Sequence, residues 1–173
     1  LVRPDDLSLR LRSSLRRHFA AEILPVLTPV PVAPSHPFPI LTNQAIEIAV
    51  LLKRKDSKKR LKAFVEVPSV LPRFIEVHGG KTDGDATEYV LLEDLLLANL
   101  DMLFTDCKIL EAFPFRVIRD MDFNVDQEGV ADLLAHMEKQ LKHRRRREPI
   151  RLEIPSQCNS QMVQWLTRKL EIE

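Results

Sequence analysis

Apolar side chains at Leu7, Leu11, Leu15, Phe19 and Ile23 recur at helical spacing and predict a helix with one buried stripe. Asp5 and Asp6 stand where an N-cap and a favourable dipole charge belong. Arg10, Arg12, Arg16 and Arg17 fall largely off the stripe. Pro25 disfavours helical geometry at Leu24, so the helix is expected to stop there. The periodicity then changes from helical to alternating. Ile46, Ile48, Val50 and Leu52 alternate with Glu47, Ala49 and Leu51. Beyond a polar turn from Lys53 to Lys59, Leu61, Ala63, Val65 and Val67 alternate with Lys62, Phe64 and Glu66. Two alternating runs across a polar turn predict a hairpin. Short apolar runs at Phe74–Val77 and Tyr89–Val90 flank a loop marked by Gly79, Gly80 and Gly84.

The second half alternates helix and strand. Leu92, Leu95, Leu96, Asn99, Leu100 and Leu103 make a buried helix face. Residues 109–119 read as a strand, broken or bulged at Pro114. Val130, Leu133, Leu134, Met137 and Leu141 form another helix face. Ile150, Leu152 and Ile154 alternate with Arg151 and Glu153 as a strand, and a last helix from about Ser160 buries Met162, Val163, Leu166 and Leu170. The pattern implies an α+β domain: a mainly antiparallel or mixed sheet, about four helices and an extended proline-rich segment. The expected division is a helix over 1–24 that leads into a domain over 25–173.

That extended segment follows from composition. Residues 25–39 hold six of the twelve prolines. Such a stretch can form neither a helix nor a central strand. Its apolar residues predict that it packs down rather than moving freely as a linker. Across the whole chain, 45% hydrophobic residues suffice for a core, and 26 basic against 25 acidic residues exclude a global field toward nucleic acid or anionic lipid. Cys107 and Cys158 form no disulfide or zinc pattern, which points to a reducing cytoplasm. No apolar run approaches the ~20 residues of a membrane span. The chain opens on Leu1 with no signal segment after it, and is expected to be a piece of a longer polypeptide.

No self-contained catalytic site emerges. The four glycines build no phosphate-cradling loop, and no serine sits in a nucleophile elbow. His18, His36, His78, His136 and His143 show no metal-ligand spacing. His18 and His143, beside arginines, read as solvated or helix-end residues. His36, among prolines, reads as an orienting hydrogen-bond residue, with Pro37 and Pro39 shaping its loop. Arg144, Arg145, Arg146 and Arg147 close a helix, where either dipole-favoured solvation or a polyanion contact explains them. In an extended Arg116–Asp122 segment, Arg116, Ile118, Asp120 and Asp122 share one face, and Arg119 lies opposite with Val117. Asp120 and Asp122 fit either a hard cation such as magnesium or intramolecular arginine pairs. A separate functional class, an RNA-binding module using the arginine run, fits poorly with 6% aromatic content and balanced charge.

Several stretches together resemble the histidine-phosphorylated polyphosphate kinases. They are Leu27-Thr28-Pro29, His36-Pro37-Phe38-Pro39 with Asn43, Val67-Pro68 with Leu71-Pro72-Arg73-Phe74, Leu92-Glu93-Asp94-Leu95 with Ala98-Asn99-Leu100, Phe115–Asp122, and Arg145–Glu153. Ile118 and Met121 depart from the common Thr and Ala. The resemblance spans nearly the whole chain and identifies it as similar to the family's head domain. It implies a parent enzyme that moves the γ-phosphate of ATP onto a histidine and then onto polyphosphate, with ATP and magnesium as cofactors. It also implies that the phosphorylated histidine and main phosphate-binding residues lie in other domains, so no catalytic residue is expected here. Nor is a cofactor expected to bind this piece alone. The implied partners are the remaining domains in cis, a second copy of the parent and polyphosphate, with no nucleic acid. Arg116, Arg119, Arg144 and Arg145 are the candidate polyanion contacts, and Asp120 and Asp122 the candidate metal contacts. The implied role of such a domain is dimer contact and one wall of a polyphosphate tunnel.

Overall fold

A computed structural model describes residues 1–33, 37–77, 87–119, 149–158 and 161–172. Four α-helices are described: α1 (Leu9–His18), α2 (Leu92–Ala98), α3 (Leu100–Leu103) and α4 (Gln161–Leu170). Seven strands are described: β1 (Pro29–Val32), β2 (Ile46–Arg54), β3 (Arg60–Glu66), β4 (Phe74–Glu76), β5 (Tyr89–Leu91), β6 (Cys107–Arg119) and β7 (Pro149–Glu153). Five of them form one sheet in the order β1-β3-β2-β6-β7, with every neighbouring pair antiparallel. β4 and β5 pair separately. The fold is α+β. The helix expected over 130–141 lies outside the described residues.

Both faces of the large sheet are buried. On one, Ile48, Val50, Leu52, Ala63 and Val65 pack with Leu15, Phe19 and Ile23 of the N-terminal helical segment and with Leu92, Leu95 and Leu96 of α2. On the other, Ala49, Phe64, Phe113, Phe115 and Val117 pack with Met162, Leu166 and Leu170 of α4. The alternation in β2 and β3 therefore sorts side chains between two cores rather than between core and water. The N-cap position of α1 is taken by Ser8, whose side chain makes no capping bond, and not by Asp5 or Asp6, which sit in a short 3₁₀ turn over Pro4–Asp6. Beyond His18 the backbone widens into a π-turn over Phe19–Ile23, and a 3₁₀ turn over Leu24–Val26 ends the helical run.

The prolines sit where the ladder tolerates them. β1 lies at the sheet edge, with Pro29 opposite Val65 and Pro31 opposite Ala63. Pro114 lies within β6 and does not bulge it; the irregularity falls instead at Leu110, between the pairs Leu51–Glu111 and Leu52–Ile109. The register explains this. The Val67 N–H bonds the Ile46 carbonyl, so the even-numbered residues at the start of β2 turn their backbone groups toward β3. Pro114 opposes Ile48, so its nitrogen points away from β2. The β7 ladder begins only at Arg116, and the missing N–H costs no bond. A second irregularity, between Ile118 and Arg119, leaves Ile150 as the extra residue of β7. Ile150 is consequently 61% exposed rather than sharing an inward face with Leu152 and Ile154.

Candidate functional site

The end of β6 carries the candidate residues that the structure describes. Arg119 follows Phe113, Phe115 and Val117 on the face covered by α4 and is only 9% exposed. Burial pushes its guanidinium pKa down, although arginine stays cationic throughout the working range. Its backbone N–H donates to Asn43 Oδ1 at 2.9 Å. The next residue, Gln44, takes a left-handed backbone (φ 62°) and donates its N–H to the Val117 carbonyl at 2.9 Å. The Asn43–Gln44 corner thus clamps the last turn of β6. Arg116 lies on the opposite face, with Nη1 3.7 Å from Glu153 Oε2. Arg151 Nη2 lies 2.7 Å from Glu153 Oε1, so one carboxylate serves two guanidiniums. Arg116 Nε is buried without a hydrogen-bond partner among the described residues.

Arg116 and Arg119 therefore do not converge on one point. Asp120, Asp122, Arg144 and Arg145 lie outside the described residues, as does His36. Pro37 is exposed and Pro39 half-buried. Between them Phe38 seats against Phe64 and Trp165, with ring centroids 5.6 and 6.0 Å apart. Edge-on and tilted contacts of this kind suit the ring quadrupoles. They hold the proline segment down on the α4 side of the sheet.

Other charged residues, in and beside the motif stretches, are struts. Arg73 Nε donates to Glu93 Oε1 at 3.0 Å, and Glu93 is 5% exposed. The Arg73 carbonyl accepts the Leu92 N–H at 2.8 Å, which ties β4 to the start of α2. Arg16 reaches from α1 to Asn99 Oδ1 (3.1 Å) and Asp101 Oδ1 (3.0 Å), and this hydrogen-bonded contact holds the Asp101 carboxyl below its usual range. Asn99 Nδ2 in turn donates to the Leu95 carbonyl at 2.8 Å.

Two features escape a reading of the sequence. The hairpin from Lys53 to Lys62 carries seven cations and one carboxylate, which reads along the chain as a mere polar turn. In the fold, Lys59, Arg60 and Lys62 join Lys169 of α4 around a cleft of about 710 Å³ that also exposes Trp165. Lys62 Nζ stands 4.6 Å from the Trp165 ring centroid. The second feature is Glu47, whose alternation with Ile46 and Ile48 suggests a solvent face. It is 4% exposed, because β2 is central and Pro39, Ile40, Leu41 and Phe64 line the space beside it. Burial, with the opposed Glu66 second, pushes its carboxyl up to about 7. Among the described residues no group of three or more His, Cys, Asp or Glu side chains could hold a metal, and no helix is long and apolar enough to cross a membrane.

The family described as the polyphosphate kinase middle domain matches residues 10–173. A polyphosphate kinase of Exiguobacterium sibiricum is 37% identical over 173 residues, covering 99% of this chain and 24% of that protein. The Staphylococcus epidermidis enzyme of the same name is 34% identical over 174 residues, with 100% and 23% covered. The crystal structure of polyphosphate kinase from Porphyromonas gingivalis superimposes with a TM-score of 0.70 at 23% identity, over 96% of this chain and 22% of that one, and shows the shared fold. The chain spans about a quarter of the length of the curated relatives it matches. With a matching family over nearly every residue and relatives above 30% identity, this chain belongs to the polyphosphate kinase middle domain family.

Proposed function

We propose that this chain is the non-catalytic head domain of a longer polyphosphate kinase. In this reading the parent uses ATP and magnesium, passes the γ-phosphate through a phosphohistidine and extends polyphosphate. The 1–24 helix leads into a head domain over 25–173, which supplies contacts to other domains and to a second copy, and one wall of the polyphosphate path. The observation that carries the reading is the family match over residues 10–173, in a chain that spans about a quarter of the length of its curated relatives. Phosphoryl transfer needs a nucleophile and a cationic cradle at one point. Among the described residues, the candidate arginines Arg116 and Arg119 lie on opposite faces of one strand.

Two further features support the wall and contact roles. The cleft of Lys59, Arg60, Lys62 and Lys169 offers the charge that an extended phosphate chain requires. Leu9, Val70 and Phe74 are 80, 83 and 54% exposed, apolar surface suited to a neighbouring domain. The same reading assigns polyanion contacts to Arg116, Arg119, Arg144 and Arg145, and cation contacts to Asp120 and Asp122. His36, Pro37 and Pro39 serve as a structural loop beside that edge. The purified 173-residue chain, given ATP, magnesium and a polyphosphate primer, is expected to make no polyphosphate. Turnover above an enzyme-free blank overturns the proposal. Within the full-length parent, Arg119→Ala is expected to lower turnover while circular dichroism stays native. Unchanged kinetics would remove Arg119 from the polyanion edge.

A further inference from the structure

Glu47 and Glu66 occupy directly opposed positions on β2 and β3. Backbone groups of Glu47 turn toward β6, so the two residues form the non-hydrogen-bonded kind of pair, in which side chains approach most closely. Like charges at such a position repel. Thr42 Oγ1 donates to Glu66 Oε2 at 2.8 Å, which satisfies part of one carboxylate. The Glu47 side chain makes no hydrogen bond with a described residue; the residue is 4% exposed and its carboxyl borders a cavity rather than being fully enclosed. A buried polar group without a partner calls for an explanation.

Both carboxyls line a cavity of about 300 Å³. Its lining contains no cation. Its rim is apolar: Val26, Val30 and Ile40 are 46, 40 and 59% exposed. The volume lies at the low end for ligand sites, small for a nucleotide. Among the described residues no third carboxylate, histidine or cysteine joins the two carboxyls, as a metal site would want, and the rim offers apolar surface instead. Apolar walls beside one buried and one exposed carboxyl match a long aliphatic stem that ends in a cation. A planar guanidinium, with five donors, can bond two neighbouring carboxylates at once.

We propose that this cavity is a receptor for a single arginine side chain presented by a partner protein segment, with the guanidinium seated between Glu47 and Glu66. The stem lies against Val26, Val30 and Ile40. The pair then serves as an acidic socket that docking neutralises, and the buried charge of Glu47 becomes part of an interface.

The test uses n-propylguanidinium as the probe and the 173-residue chain labelled for carboxyl ¹³C NMR. At matched ionic strength, n-propylguanidinium is expected to lower the Glu47 titration midpoint about tenfold in proton affinity. It should also shift the signals of Phe64 and Ile40. Tetramethylammonium, which has no donors, should do neither, and n-butylammonium should act more weakly. The probe-induced shifts should vanish in Glu47→Gln, a variant whose fold is checked by the unchanged signals of Leu166 and Leu170. A larger response to magnesium than to n-propylguanidinium overturns the proposal in favour of a metal site. An equal or larger response to n-butylammonium overturns the arginine assignment. No response to any cation leaves a proton-sharing carboxyl pair and overturns it as well.

Discussion

Glu47→Gln isolates the cost of a buried carboxylate. Glu47 is 4% exposed, and burial raises its carboxyl from an ordinary 4.5 to about 7. Between those values the folded chain keeps a proton that the unfolded chain has released. Stability must therefore fall as pH rises through that window, because the native state binds more protons there. A gap of about 2.5 pKa units corresponds to about 3 kcal/mol once the group is ionised in both states. About 2.5 kcal/mol of that loss develops between pH 5 and pH 8. Glutamine keeps the shape and removes the charge, so the variant should not show this loss. At pH 8, Glu47→Gln is expected to be more stable than the parent sequence by roughly 2–3 kcal/mol, and at pH 5 by no more than about 1 kcal/mol. For a domain of this size the difference at pH 8 corresponds to roughly 5–10 °C in Tm. Urea unfolding followed by far-ultraviolet circular dichroism and by Trp165 fluorescence gives both values. Taking variant minus parent at each pH cancels other titrating groups, including Asp94, whose carboxyl burial also raises. If the two stability curves stay parallel from pH 5 to pH 8, Glu47 is solvated in the folded chain and the buried-carboxylate reasoning fails.

Two other substitutions probe the frame. Arg73→Ala leaves Glu93 buried without its guanidinium and should cost about 3 kcal/mol, with Arg73→Ala/Glu93→Gln costing less than the sum of the single changes in the same urea experiment. Leu166→Ala empties a fully buried position between α4 and the sheet and should cost about 2–5 kcal/mol, read as a lower urea midpoint with an unchanged slope.

The elements that depend on local chemistry are legible along the chain. The spacing of Leu15, Phe19 and Ile23 predicts a helix face, and all three are buried. Alternation across Lys53–Lys59 predicts the hairpin, and β2 and β3 pair with Glu47 opposite Glu66 and Lys53 opposite Arg60. Prolines 29 and 31 exclude a central strand, and β1 lies at the edge. The motif stretches point to the family to which the chain belongs. The expected break at Pro114 is the instructive exception. A proline removes a donor, but whether that donor is needed depends on which strand lies beside it. In β6 the nitrogen faces away from β2, and the irregularity moves to Leu110.

Sequence alone determined periodicity, punctuation and kinship, because these arise from residues a few positions apart and from motifs in order. It placed Arg119 on the side of Val117 and away from Arg116, since alternation is a local property of extended backbone. The tertiary structure decided which polar residues are dry. Glu47 and Lys53 look alike as polar positions of one strand, yet Glu47 is buried and Lys53 exposed. That difference comes from β6, which places Phe115 opposite Glu47 from 68 residues away, and from the segment around Pro39 and Leu41; together they enclose the middle of β2 and leave the hairpin end open. The basic cleft has a similar origin: Lys59, Arg60 and Lys62 meet Lys169 only when the last helix docks. Burial and charge convergence are sums over distant neighbours, and no local pattern carries that sum.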